Sequence, residues 1–337
     1  MNVPLVRARA PVAVLAVLAL VAAGAMALAG ANPLLGFAAL LRGSLGTPQH
    51  LAETLVQTTA LLFPALAVAL AFRAGLFNIG AEGQLVIGGL CAGIAGAALA
   101  GPGWLAIVVM LAAGALGGGL YGAIPGTLRA RFGASEVIAT LMLNIVAVLL
   151  ANYLIVGPLH APGVAGAETA PLPATSWLPA LAGTRLSLAF PLALVLAAAL
   201  RFMLDRTVYG YELRAAGEAP EAARRAGISL GRTALVTMTL SGAIAGLGGA
   251  TIVAGVLHRF NVALSPGYGF IAIAVAIVGG LDPLRIVVAA FAFGILQSGS
   301  LTMQALAHVP KDVVAIVEGL AILAVATVRL PARTGGR

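Results

Sequence analysis

The sequence is poor in charge, thiols and imidazoles. Only 9% of its 337 residues are charged, against about a quarter in an ordinary soluble domain. That shortage excludes a soluble enzyme and a disordered chain. One cysteine, Cys91, excludes an intramolecular disulfide, and its place in an apolar run marks it as a small buried hydrophobe. The histidines His50, His160, His258 and His308 are scattered, which argues against a metal site. The single lysine, Lys311, follows Pro310, and the phosphate-binding pattern G-x-x-x-x-G-K-[ST] is absent, so the chain has no ATP-hydrolysing motif of that kind. No catalytic residue and no cofactor are expected. A net charge of +8 would suit nucleic acid if the arginines formed a patch, but they punctuate long apolar runs instead.

Those runs dominate what is present, with 61% of residues hydrophobic. About 20 apolar residues cover the roughly 30 Å hydrocarbon core of a bilayer. The runs lack the alternation of barrel strands, so backbone polar groups in lipid must be satisfied within helices. The expected fold is therefore all-α, a polytopic helical membrane protein of about ten spans forming a single transmembrane domain over 1–337. The candidate spans are 11–29, 55–72, 84–100, 104–124, 137–156, 186–204, 234–256, 269–281, 283–301 and 313–328. The first resembles a signal peptide, with Arg7 and Arg9 ahead of it and Ala27-Leu28-Ala29 at its end, but its length exceeds the 7–15 residues of a signal core and it reads as an anchor.

Positive charge orients the bundle. With the N-terminus inside, fifteen of the nineteen basic residues fall inside and only Arg42, Arg185, Arg259 and Lys311 fall outside. Both termini are then cytoplasmic. Two segments between spans are long enough for structure of their own, an extracytoplasmic one at 157–185 and a charged cytoplasmic one at 205–233.

The tightest polar cluster beside an apolar run is Gly75-Leu76-Phe77-Asn78-Ile79-Gly80-Ala81-Glu82-Gly83-Gln84-Leu85. One reading is a broken helix beside a substrate path, since irregular backbone at membrane depth survives only where it is buried or lines a cavity. The other is a tight cytoplasmic turn in which Glu82 complements the dipole of the next helix; spacing alone favours the turn. Within 205–233, Glu218-Ala219-Pro220-Glu221-Ala222-Ala223-Arg224-Arg225-Ala226-Gly227 predicts a short helix. Pro220 suits its first position, Glu221 and Arg224 complement its dipole, and Gly227 can take the left-handed stop. Such a helix is either a solvated loop or a docking peg for a cytoplasmic partner.

Gly117-Gly118-Gly119-Leu120-Tyr121-Gly122 satisfies the dinucleotide pattern G-x-G-x-x-G but lies inside a span, without a preceding strand. Gly114, Gly118, Gly122 and Gly126 recur every fourth residue and predict a smooth face for close helix packing. Ile87-Gly88-Gly89-Leu90 and Val278-Gly279-Gly280-Leu281 lie five spans apart and suggest an inverted repeat, although Gly-Gly-Leu arises readily by chance in so glycine-rich a chain. Further polar residues within spans are Asn144, Asn152, Gln297 and Glu318, the last a candidate for the outer part of a pathway.

The stretch Phe77-Asn78-Ile79-Gly80-Ala81-Glu82-Gly83-Gln84 resembles a signature of the permease subunits of bacterial nucleoside ABC importers. Ser135 to Asn144, the stretch from Arg214 to Ser229, and Pro266-Gly267-Tyr268-Gly269-Phe270 are similar to further parts of that family, in the same order. The downstream Ile-x-Leu-Pro of the general importer coupling motif is absent, and Ile271 stands where many relatives carry an acid. The resemblance implies import by alternating access, with Phe77, Asn78, Glu82, Gln84, Asn144 and Phe270 along the substrate path. It implies coupling to an ATPase through Glu218, Pro220, Glu221, Ala222, Ala223, Arg224 and Gly227. The implied partners are a second related permease, a cytoplasmic ABC ATPase and an extracytoplasmic substrate-binding lipoprotein, around a permease in the inner membrane. The implied substrates are nucleosides, purine nucleosides first, with ribose or another simple sugar as the alternative. An ion-coupled secondary transporter would need more charge within the spans. A membrane-embedded enzyme would need converging acid, base or metal ligands.

Overall fold

The computed structural model describes residues 20–99, 101–161, 163, 166–181, 183–310, 313, 316 and 319. Among the described residues the α-helices with defined bounds are α1 (Leu20–Leu28), α2 (Pro33–Leu45), α3 (Pro48–Arg73), α4 (Ala81–Ala98), α5 (Gly103–Phe132), α6 (Glu136–Val156), α7 (Ala189–Arg206), α8 (Val208–Glu218), α9 (Pro220–Arg225), α10 (Leu230–Ile252), α11 (Tyr268–Val278) and α12 (Pro283–Ala307). A π-helical turn, Val253–Leu257, extends α10. Among the described residues the β-structure amounts to two isolated bridges.

Six of these helices, α3, α4, α5, α6, α10 with its extension, and α12, are long and apolar enough to cross a membrane. A seventh is added if the bent pair α1 and α2 is one span, and among the described residues two of the ten expected spans fall short in identifiable ways. The run expected at 186–204 forms α7, whose last six residues include Arg201, Asp205 and Arg206. The run at 269–281 forms α11, which has 11 residues and is therefore about 16 Å long, half a bilayer. The run 33–45, too short for a span, forms α2, which meets α1 at 112°. Its start is local chemistry: Pro33 opens the helix and the Asn32 carboxamide accepts from the Leu34 and Leu35 amides at 3.0 and 3.4 Å. Apart from residues 313, 316 and 319, the expected span 313–328 lies outside the described residues, as do Glu318, Lys311 and most of 11–29.

The chain divides into two compact units. One takes the residues up to Gln57 and those from Phe291 onward, where Met26, Leu40, Met303 and Val309 form an apolar cluster. The other, Thr58–Ala290, holds the features argued below. At its centre α4, α5 and α10 pack backbone to backbone. A Cβ on Gly246 of α10 would stand 2.8 Å from the Gly118 Cα of α5, and one on Gly114 would stand 2.5 Å from the Ala250 Cβ. The every-fourth glycine face of α5 meets Gly242, Gly246 and Met238 of α10, as its spacing predicts. The two Gly-Gly-Leu stretches do not play matching parts: Gly88 lies inside α4 against Gly246, whereas Gly279 and Gly280 close α11.

One end of this unit is basic. Arg73, Arg129, Arg131, Arg201, Arg206, Arg224, Arg225, Arg232 and Arg285 lie at helix ends or in the α8–α9 segment there. At the opposite end the chain between α6 and α7 lies along residues 254–261. Glu168 pairs with Arg259 at 2.7 Å, the Leu172 amide donates to the His258 carbonyl at 2.8 Å, and Trp177 stacks on His258 with centroids 3.7 Å apart.

The glycine contact makes a testable demand. Gly246→Ala should destabilise the protein by about 1–3 kcal/mol, the usual cost of overpacking, seen as a lower thermal midpoint in detergent. Gly24→Ala, where an added Cβ meets nothing within 4 Å, should leave it unchanged.

Candidate functional site

Helix α3 ends at Arg73, and the chain reverses at Gly75, whose φ of +71° suits a residue without a side chain. Residues 76–80 then return into the bundle. The Asn78 carboxamide donates to Ser241 Oγ at 2.7 Å, and Ser241 lies eleven residues into α10, about 16 Å along its axis. Helix α4 therefore begins at depth, not in a turn at the surface. Spacing alone favours the surface turn; the geometry gives the broken, internal arrangement, because the reversal is completed at Gly75 before the polar cluster begins.

A break at that depth frees backbone groups, and side chains satisfy them. Asn78 is fully buried and uses both ends of its carboxamide. Its nitrogen donates to Ser241 and to Gln84 Oε1 at 2.9 Å, and its oxygen accepts from the Gly80 amide at 3.0 Å and Gln84 Nε2 at 3.2 Å. Ser241 donates in turn to the Ala67 carbonyl of α3 at 2.6 Å. From α6, Asn144 accepts from the Gly83 amide and donates to the Ile79 carbonyl, both at 2.9 Å. These bonds join α3, α4, α6 and α10 around one linker.

The second break lies between α10 and α11. After His258 the chain descends through a short helical turn, Val262–Leu264, to the start of α11. The Ser265 hydroxyl accepts from the Gly267 and Tyr268 amides at 3.2 and 2.9 Å. Glu82, in the first turn of α4, accepts from the Gly269 amide at 2.7 Å and is hydrogen-bonded to Ser265. Two helix N-termini thus share one carboxylate, each carrying about half a positive charge by its dipole. A Cβ on Gly269 would lie 2.5 Å from the Glu82 Cα, so the helices meet here only because that position is glycine.

The structure brings Asn78, Glu82, Gln84 and Asn144 together as a buried cluster. Phe77 and Phe270 flank it with their rings largely exposed, Phe77 edge-on to Phe72 at 5.1 Å. Asn152 faces outward on α6. Ser241 and Ser265 complete the cluster although the sequence does not single them out, because hydropathy treats a short hydroxyl in an apolar run as neutral.

The residues of the predicted peg lie at the basic end. Pro220 opens α9, Gly227 takes φ +87°, and the Gly227 and Ile228 amides close the helix on the Arg224 and Ala223 carbonyls, both at 3.0 Å. Glu218, Pro220, Glu221, Ala222, Arg224 and Gly227 are exposed, whereas Ala223 is buried. The end of α8 that leads into the peg touches the turn ahead of the Asn78 linker: a Cβ on Gly75 would lie 3.1 Å from the Gly217 Cα of α8. A cavity of about 420 Å³ opens beside that contact, between Leu76, Arg129, Gly133, Pro220, Arg224 and Gly231.

An all-helical, multi-pass bundle with broken helices bonded at depth is the architecture of a membrane transport protein. The chain belongs to the family described as the permease component of the branched-chain amino acid transport system, whose model matches residues 50–326, and it is an ABC-transporter permease of the nucleoside and sugar type. It is 38% identical to the guanosine ABC transporter permease protein NupP of Bacillus subtilis, over 87% of this chain and 85% of that protein. It is 33% identical to the glucose ABC transporter permease protein TsgB13 of Haloferax volcanii, over 92% and 85% of the two chains. With the nucleoside ABC transporter permease protein NupB of Lactococcus lactis it shares 32% identity, over 88% and 84%. No solved structure matches the chain.

Removing Asn78 tests whether the cluster holds the break. Asn78→Ala orphans the Gly80 amide and the Gln84 carboxamide, each costing about 1–3 kcal/mol when buried. The thermal midpoint in detergent should fall accordingly, and Ser241→Ala should lower it by less.

Proposed function

We propose that this chain is the transmembrane subunit of an ATP-driven importer that moves nucleosides, purine nucleosides first, into the cell by alternating access. The observation that carries the reading is the 38% identity to a guanosine permease along most of both chains. The buried cluster around Asn78 and Glu82 supports a path beside the broken helices, with Phe77 and Phe270 as flat apolar surfaces at its margin. In this reading Asn78, Gln84 and Asn144 position the linker and Glu82 joins α4 to α11.

The energy comes from a separate cytoplasmic ATPase docked on the Glu218–Gly227 peg. A second, related permease completes the membrane body, and an extracytoplasmic binding lipoprotein delivers the substrate. The permease sits in the bacterial inner membrane with the basic end and both termini in the cytoplasm, as the distribution of arginines favours. The 33% identity to a glucose permease supports the second reading, import of a simple sugar by the same machinery.

Uptake of labelled guanosine, adenosine, cytidine and ribose, in a strain lacking the gene and in the same strain carrying a plasmid copy, tests the substrate. Restored nucleoside uptake is expected; restoration of ribose alone would move the chain to sugars. Glu221→Gln and Gly227→Leu should each lower uptake roughly tenfold, a typical coupling energy, with the protein inserted in the membrane at normal levels. Normal uptake in both would remove the peg from the coupling path.

A further inference from the structure

The start of α11 has its donors answered one by one. A helix leaves the amides of its first turn without partners inside itself. Here the Tyr268 amide donates to Ser265 Oγ at 2.9 Å, the Gly269 amide to Glu82 Oε2 at 2.7 Å, and the Phe270 amide to the Gly267 carbonyl at 3.0 Å. Ser265 Oγ also accepts from the Gly267 amide at 3.2 Å, and Gly267 takes φ +99° as the chain turns into the helix. With both lone pairs of its oxygen taken, Ser265 has one proton left, and its bond to Glu82 uses it. One hydroxyl therefore closes the turn at 265–268 and joins it to a carboxylate of α4. The far end of α11 is held separately by two arginines: the Leu281 carbonyl accepts from Arg73 Nε of α3 at 2.8 Å, and Asp282 is paired with Arg201 of α7.

That start carries Phe270, the residue after Gly269. Its ring is half-exposed, as is that of Phe77 at the other break. Irregular backbone at membrane depth survives only where it is buried in protein or lines a cavity, so rings exposed at the two breaks belong to the wall of a path rather than to a lipid face. Both are mounted on the first turn of α4. Phe77 is held through its neighbour Asn78, whose carboxamide exchanges two hydrogen bonds with that of Gln84, at 2.9 and 3.2 Å. Phe270 is held through Gly269 and Glu82. A Cβ on Gly269 would stand 2.3 Å from the Glu82 nitrogen, so the first turn of α11 has no slack toward α4. Away from α4 it is restrained by the bonds of Glu82 and Ser265.

We propose that Ser265 is a positioning residue for recognition of the nucleoside base, holding the first turn of α11 on Glu82 so that the Phe270 ring keeps a fixed place beside the path. This rests on the reading of the chain as a nucleoside permease with Phe270 at the margin of its path. The chemistry that suits such a ring is a flat heterocycle, since stacking of a base on an aromatic side chain changes affinity by roughly 5- to 150-fold. A ring without a fixed place loses part of that gain, and a purine, with the larger face, loses more than a pyrimidine. Ser265 acts on the base through Glu82, Gly269 and Phe270, not by touching it. Removing its hydroxyl takes an acceptor from the Gly267 and Tyr268 amides and a donor from Glu82. The Gly269 bond and the arginine-held far end of α11 stay, which confines the change to the first turn.

The test compares Ser265→Ala, Ser265→Thr, which keeps the hydroxyl, and Phe270→Leu. Uptake from a mixture of labelled guanosine and cytidine, in cells carrying the complete importer, gives the ratio of their kcat/KM values. The binding protein is the same throughout, so a changed ratio reports the permease. The guanosine-to-cytidine ratio should fall roughly fivefold in Ser265→Ala and in Phe270→Leu, the lower end of the stacking range, and return to the parent value in Ser265→Thr. Ser265→Ala combined with Phe270→Leu should fall no further than Phe270→Leu, since the two act through one ring. In the purified complex, hydrogen exchange of the 267–271 amides should quicken in Ser265→Ala, be slow again in Ser265→Thr and stay slow in Phe270→Leu. Ser265→Cys, close in size and a weak hydrogen-bonding group, serves in place of Ser265→Ala should that complex fail to assemble. An unchanged ratio or unchanged exchange on loss of the hydroxyl, an additive double variant, or no recovery in Ser265→Thr would each overturn the proposal. A parent importer that carries ribose and no nucleoside overturns the nucleoside reading and the base contact with it, whereas nucleoside import with a ratio indifferent to Ser265 removes the positioning role alone.

Discussion

Backbone polar groups inside a bilayer have no water to fall back on, and that constraint organises the Thr58–Ala290 unit. A continuous helix meets it within its own ladder. The described residues of this unit break their helices in depth before α4 and before α11, and each break frees amides and carbonyls that must be answered by side chains. Asn78 answers Gly80, Asn144 answers Gly83 and Ile79, and Glu82 with Ser265 answers the first turn of α11. The buried carboxamides Asn78, Gln84 and Asn144 and the Glu82 carboxylate are therefore gathered where the backbone is irregular.

The same breaks explain the glycines. A helix that starts at depth must be held by its neighbours, and side chains of ordinary size would keep α4, α5 and α10 too far apart. Removing the Cβ at Gly88, Gly114, Gly118, Gly242 and Gly246 lets the three backbones touch. Close contact then sets the level at which Ser241 of α10 meets Asn78 and Gly122 of α5 meets Gln84. Packing and hydrogen bonding fix one register together, and a change at either is felt by both.

What the sequence makes legible follows from the range of the interactions involved. The α9 peg and its stop at Gly227 are written in adjacent residues, as is the glycine face of α5, because capping and helix periodicity are local. The Asn78 cluster stands out as polarity beside an apolar run, but its depth does not. Depth depends on where α3 reverses relative to α10, a contact between residues 163 apart in sequence. Hydropathy likewise reads 269–281 as a span, since it registers polarity and not the path of the chain around it; the bilayer-deep descent is completed by irregular backbone from 258 to 267. Ser241 and Ser265 are invisible to it for the same reason, being small enough to pass as apolar residues until their partners are in place.

The distribution of interaction strength separates the parts that hold from the parts that can move. At depth, the bonds that Asn78 makes are buried, and losing one partner leaves another buried and unpaired, at a cost of about 1–3 kcal/mol. At the basic end the Arg201, Asp205 and Asp282 pairs are partly exposed, and water can replace a lost partner at little cost. The bonds that can exchange without leaving a buried group unpaired are therefore those at the basic end, whereas the cluster is held as a body. Helix α11 connects the two regimes, bonded to Glu82 at one end and to the arginine-held turn at the other. Its length of half a bilayer lets it do so, because a full span in its place would carry the Glu82 contact to the far surface, where water would weaken it.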